Sequence, residues 1–145
     1  MPVPATIHAK EIDRVARQSY VNRQFRVALI DAPGTDFGSD DSFSYIIAGE
    51  VLLGLGGYER QQIGFTSADL GAYEDGKLPL ARKAASFVHN NEVNQQIRFS
   101  HVAILNPDQD NIVAITRLAS RATLTDGQTA VFYFDFNLYG VFIAA

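Results

Sequence analysis

No cysteine occurs among the 145 residues. Disulfides, thiolate zinc sites and a cysteine nucleophile are therefore excluded, and packing alone must hold the fold. Charge is also sparse: charged residues make up 19% of the chain, against about 25% in an average protein, which favours a surface partly covered by neighbours. Twelve basic residues stand against 16 acidic ones, a formal charge of -4. That balance gives no electrostatic footprint for nucleic acid, which needs a basic stripe. Long hydrophobic runs are missing too. Runs such as Tyr45 to Ala48 and Val141 to Ala145 fall far short of the roughly 20 residues of a membrane span. Residues 1–6 lack the basic region and apolar run of a secretory signal, so we expect synthesis in the cytosol and no membrane partner.

Recognisable catalytic motifs are equally scarce. There is no P-loop, nucleophile elbow or paired-histidine zinc motif. Gly54-x-Gly56-x-x-Glu59 lacks the third glycine of a dinucleotide fingerprint and precedes a predicted strand instead of a helix. The histidines His8, His89 and His101 are scattered, and His101 reads as a hydrogen-bonded sheet residue. Asp36, Asp40 and Asp41 share a loop and could offer hard oxygen ligands to calcium, but a solvated acidic loop is the simpler reading. Asp108-x-Asp110 opens like an EF-hand loop and then has Val113 where glycine belongs. Asp69, Glu74 and Asp75 have no partner carboxylate for acid/base work. The expectation is a protein that is not an enzyme, with no catalytic, cofactor or metal site.

What is present is a pattern of strands and turns. Pro2 and Pro4 make residues 1–5 an extended arm, followed by a single domain over residues 6–145. Ile7, Ile12, Val15 and Ala16 share one face of a helix predicted over Thr6 to Gln18, with Lys10, Asp13, Arg14 and Arg17 opposite and Asp13 placed to pair with Arg17. This helix either caps the domain or docks with the arm on a neighbouring subunit. Alternation predicts a strand over Gln24 to Asp31, and i, i+3, i+4 spacing of Phe43, Ile46 and Ile47 predicts a second helix over Ser42 to Gly49. Further strands are expected at Tyr58 to Thr66, Ala81 to His89, Ile97 to Leu105, Ile112 to Arg117 and Thr129 to Phe136. Turns fall at Gly54-Leu55-Gly56-Gly57, His89-Asn90-Asn91-Glu92, Asn106-Pro107-Asp108 and Asp126-Gly127. In Ile97 to Leu105 the alternation places Ile97, Phe99, His101, Ala103 and Leu105 on one face.

Six aromatic residues crowd the C-terminal end: Phe132, Tyr133, Phe134, Phe136, Tyr139 and Phe142. The three even-numbered phenylalanines of the strand are assigned to the core with Phe25, Val27, Leu29, Ile63, Phe65, Phe87, Phe99 and Leu105. Tyr133 and Tyr139 serve packing or contact equally well. The fold class expected is mainly β, a jelly-roll-like β-sandwich with one or two short helices.

Several segments together resemble small virion structural proteins of tailed phages of marine and cyanobacterial hosts, including capsid decorations, knob-like proteins and tail-associated subunits. They are Pro2-Val3-Pro4-Ala5-Thr6 with Lys10-Glu11-Ile12-Asp13, Val27-Ala28-Leu29-Ile30-Asp31-Ala32-Pro33-Gly34-Thr35, Gly49-Glu50-Val51 leading to Gly57-Tyr58-Glu59-Arg60-Gln61, Phe99-Ser100-His101-Val102-Ala103, and the Asp126-Gly127 turn before an aromatic strand. The resemblance spans nearly the whole chain and implies a sandwich-like building block located in the virion and made in the host cytoplasm. It implies partners such as a major capsid protein or tail subunits, with a homo-oligomer as a further option, and brings no catalytic residues. A tail or tail-fibre component is the alternative within the particle. A carbohydrate-binding module, stacking sugars on Tyr58, Tyr73, Tyr133 or Tyr139, is the alternative from another class. Leu52, Leu53 and Leu55 make their turn more apolar than the resemblance leads one to expect, marking an interface. The candidate contact residues are therefore Pro2, Val3, Pro4, Leu52, Leu53, Leu55, Tyr133, Tyr139, Phe142 and Ile143, with at least one chain end expected to lie against a neighbour.

Overall fold

The computed structural model describes residues 9–72 and 77–139. The chain is mainly β, with 46% of the described residues in strands and 17% in helices. In chain order the elements are α1 (Ala9–Tyr20), β1 (Gln24–Ile30), α2 (Phe43–Ile47), β2 (Gln61–Gly64), β3 (Lys77–Val88), β4 (Ile97–Leu105), β5 (Ile112–Leu124) and β6 (Thr129–Tyr139). Among the described residues the strands form a four-stranded sheet, ordered β2-β1-β4-β5, and a two-stranded sheet of β3 and β6. The proposed arm and the C-terminal residues 141–145 lie outside the described residues. The chain divides into two compact units. One comprises Gln24–Ile63 and Ala84–Phe132, and the other the described residues of Met1–Arg23, Gly64–Lys83 and Tyr133–Ala145.

The first unit holds the sandwich. β1 and β4 are antiparallel and central to their sheet, with Ala28 opposite Ala103 and Ile30 opposite His101. Phe25, Val27, Leu29, Phe87, Phe99 and Leu105 are buried as expected, each worth about 1.5–3 kcal/mol. Phe132 of β6 is half-buried and meets both Phe87 and Phe99 edge to face, at 6.1 and 5.7 Å between ring centroids. These contacts join the two sheets. α2 covers the sheet elsewhere: Ile46 packs with Ala28, Ile30, Ala103 and Leu105, flanked by Phe37, Phe43, Ile47, Ile112 and Ile115.

The alternate positions of β4 from Ile97 to Leu105 are all buried and meet different neighbours along the strand. Phe99 lies against Phe132 of β6, whereas His101 stacks edge-on with Phe37, and Ala103 and Leu105 join the α2 cluster. The register changes between them: Phe99 pairs with Ala122 but His101 with Arg117. The extra residues of this bulge lie on β5, and β4, covered on both sides, buries Ser100, Val102 and Ile104 as well. The same irregularity carries β5 on to Leu124, seven residues past its predicted end at Arg117. β3 also starts earlier than predicted, at Lys77, even though Pro79 lacks an N–H. Proline is tolerated in a strand with a free edge, which a two-stranded sheet supplies.

In the second unit α1 carries the expected Asp13–Arg17 ion pair at 2.9 Å, and Tyr20 meets Phe65 edge-on at 6.0 Å. Asn22 follows the helix in a left-handed conformation and donates its N–H to Phe65. Asp69 caps the turn it ends, accepting from the Thr66 N–H at 2.7 Å and from Lys83 Nζ at 2.9 Å. Those partners, the backbone N–H first, hold its carboxyl below the usual range. Arg82 and Asp135 pair through two hydrogen bonds across β3 and β6, fully accessible to solvent and so of small energetic value.

Candidate interaction surface

The most exposed apolar side chains of the sandwich unit stand on loops whose backbones are tied down. Residues 49–51 run along β1 beyond β2: Asp31 donates to Gly49 O, Val51 donates to Leu29 O, and Ile30 bridges to Glu50. Val51 is buried and the chain then turns outward. Leu52 and Leu53 are 73% and 61% exposed, while Leu55 is half-buried. Gly54, Gly56 and Gly57 all have positive φ, and the turn closes by Leu55 N–H to Leu52 O and Gly57 N–H to Gly54 O.

A side-chain network fixes this turn from behind. Glu50 accepts from Tyr58 Oη at 2.7 Å and from Arg60 Nε and Nη2 at 2.8 and 2.7 Å, and Tyr58 Oη itself accepts the Leu29 N–H at 3.0 Å. Arg60 reaches on to Gln109. Burial, reinforced by its hydrogen bond to Glu50, pushes the Tyr58 phenol well above its ordinary range, and the Glu50 hydrogen bonds push Arg60 up too. Glu50, Tyr58 and Arg60 belong to the Gly49 to Gln61 block singled out in the sequence, so that block forms a structural staple. Tyr58 is only 3% exposed and stacks on Phe87, which removes it from the sugar-stacking candidates.

A second loop, 89–96, is knitted to the glycine turn. His89 is buried, its Nε2 donating to Gln95 O at 2.5 Å and its Nδ1 accepting the N–H groups of Asn91 and Gly127 at 3.1 and 3.4 Å. Gly56 donates to Gln95 Oε1 and accepts from the Asn90 N–H. From this loop Val93 projects at 79% exposure. An apolar residue within an otherwise polar turn is its signal in the sequence. Beside the turn lies an open cleft of about 380 Å³ walled by Leu52, Leu55, Gln96 and Arg98, with Asp31 and Glu50 among its lining.

Of the ten candidate contact residues, Leu52, Leu53 and Leu55 come together in this turn. Tyr133 is 67% exposed in the other unit. Tyr139 ends β6, its side chain outside the described residues, as are Pro2, Val3, Pro4, Phe142, Ile143 and Tyr73. Asp36 pairs with Arg117, and Asp41 accepts the Gly38 N–H. Among the described residues no cluster of three or more His, Asp or Glu is arranged to hold a metal. Asp110 closes an Asn106 turn. His101 is buried between Ser100 Oγ at 2.7 Å and Thr35 O at 2.9 Å, and Ser100 Oγ also takes the Ala32 N–H, so the adjacent serine and histidine serve the interior of the sheet. No protein-family model matches the chain, and no curated protein matches its sequence.

Because Leu52 and Leu53 are held out into solvent by their backbone, the double substitution Leu52→Ser with Leu53→Ser is expected to change stability by no more than about 0.5 kcal/mol. A thermal melt checks this, and a large drop would mean that these leucines support the fold itself.

Proposed function

We propose that this chain is a structural subunit of a tailed-phage particle, a decoration or knob on the capsid exterior that packs against other virion proteins. The observation that carries the reading is the pair of exposed leucines, Leu52 and Leu53, on a turn locked by glycines and by the Glu50 network. Apolar groups held rigidly in water suit a contact surface, since ordering them on binding costs little. The resemblance of the Gly49 to Gln61 block and its neighbours to phage virion proteins supports the same reading, as does the low charge. A tail or fibre subunit is the second placement in the particle. Locating the chain by cryo-EM density in purified particles separates capsid from tail, and its absence from particles refutes both. The carbohydrate-binding alternative keeps exposed Tyr133, and a glycan array without hits removes it.

A further inference from the structure

Three charged side chains line the cleft beside the Leu52 turn, and they are not equally satisfied. Asp31 is neutralised by two hydrogen bonds from Arg121, at 2.9 and 2.5 Å. Glu50 is neutralised by Arg60 and hydrogen-bonded by Tyr58. Arg98 differs: its Nε and Nη2 both donate to Gln96 Oε1, a neutral acceptor, and it has no carboxylate partner among the described residues. The lining of the cleft thus includes one guanidinium without a carboxylate partner among the described residues, two aliphatic side chains in Leu52 and Leu55, and Gln96. Its shape is set in advance. Gly49 and Val51 are hydrogen-bonded to β1, Gly56 is tied to Gln95, and Arg98 is held in β4 opposite Thr123 of β5.

We propose that this cleft binds an extended, acidic and aliphatic segment of a neighbouring protein chain, with a carboxylate on Arg98 and an aliphatic side chain against Leu52 and Leu55. The proposal rests on the contact-protein reading above and names the chemistry of the partner. An arginine presents a planar fork that matches a carboxylate in geometry and charge. The two acids of the cleft, already paired, do not repel an incoming carboxylate as bare charges would. Lys, phosphate and nucleic acid are poorer fits, because the first would meet Arg98 and the others would find a single cation.

The test uses the full chain, labelled with ¹⁵N, and two synthetic probes: acetyl-Leu-Glu-Leu-Glu-amide and its neutral counterpart acetyl-Leu-Gln-Leu-Gln-amide, each titrated to about 1 mM. The acidic peptide is expected to shift backbone resonances of residues 48–55 and 96–98 in a saturable way. The neutral peptide should bind about tenfold more weakly. Arg98→Gln should erase the difference between the two peptides, and Arg98→Lys should restore part of it. Equal shifts from both peptides, shifts elsewhere on the molecule, or no shifts at all would overturn the proposal. None of those results touches the virion reading, which stands or falls on whether the chain is found in particles.

Discussion

Replacing Glu50 with alanine is expected to lower stability by about 3 kcal/mol, because the change strands a half-buried guanidinium and a buried phenol together. The Glu50 carboxylate is the shared acceptor for Tyr58 and Arg60, and its side chain is 10% exposed, so water cannot replace it cheaply. The network also carries a signature in pH. Tyr58 is held above its ordinary value of 10.0, first by burial and then by its bond to Glu50. The folded state therefore keeps this proton after the unfolded chain has lost it. The contribution is complete below about pH 10 and declines above it, by up to about 1.4 kcal/mol per pH unit. Tyr20, also raised by burial, adds to the same slope. Denaturant unfolding of the wild type and of Tyr58→Phe between neutral and alkaline pH checks this. The variant should be less stable at pH 7, having lost an acceptor for the Leu29 N–H, and should show a shallower alkaline decline. An unchanged slope would mean that Tyr58 exchanges its proton with solvent as freely in the folded protein as in the unfolded one.

Gly56→Ala is the second large effect. Gly56 has φ of +59°, a region that costs an ordinary residue about 1–2 kcal/mol. A Cβ there would lie 2.8 Å from His89 Cδ2 and 3.0 Å from both His89 Nε2 and Ile97 Cγ1. Neither neighbour can retreat. His89 is hydrogen-bonded at both ring nitrogens, and Ile97 is buried. Overpacking adds about 1–3 kcal/mol, so the total is roughly 2–5 kcal/mol, read as a fall of about 10 °C in the thermal midpoint. The neighbouring Gly54 also has positive φ, but space around it is open. Gly54→Ala should therefore cost only the backbone part. Equal costs at the two glycines would show that the loops around His89 yield readily, contrary to a preformed contact surface.

Much of this architecture was legible because local rules and tertiary context agree. β1 and β4 lie where alternation places them, β4 to the residue, and α2 falls within its predicted span, with Ser42 capping the Tyr45 N–H as a helix N-terminus requires. The length of β5 was not legible, because its register with β4 breaks over Leu118 to Arg121, between Arg117 opposite His101 and Ala122 opposite Phe99, and only the pairing beyond that break carries it on to Leu124. The apolar turn at Leu52 to Leu55 stood out as a run of leucines among glycines, and the structure holds the first two in solvent. The role of Tyr58 was not legible: a tyrosine after two glycines suits a sugar face as well as a core, and only Glu50, eight residues earlier, decides between them. Alternation makes Arg98 an ordinary outward residue of its strand. Its standing in the cleft depends on Arg121 and Arg60 having already taken the nearby acids, which is a matter of three-dimensional pairing.

Occupancy in purified phage particles, measured by quantitative mass spectrometry on particles assembled with the wild-type chain or with the Leu52→Glu, Leu53→Glu double variant, tests the central claim most directly. The wild type should be present at a fixed copy number per particle. The variant, with an unchanged thermal midpoint because both sites are solvent-exposed, should be lost from particles. A wild-type chain absent from particles, or a variant that occupies them at the wild-type level, would contradict the account.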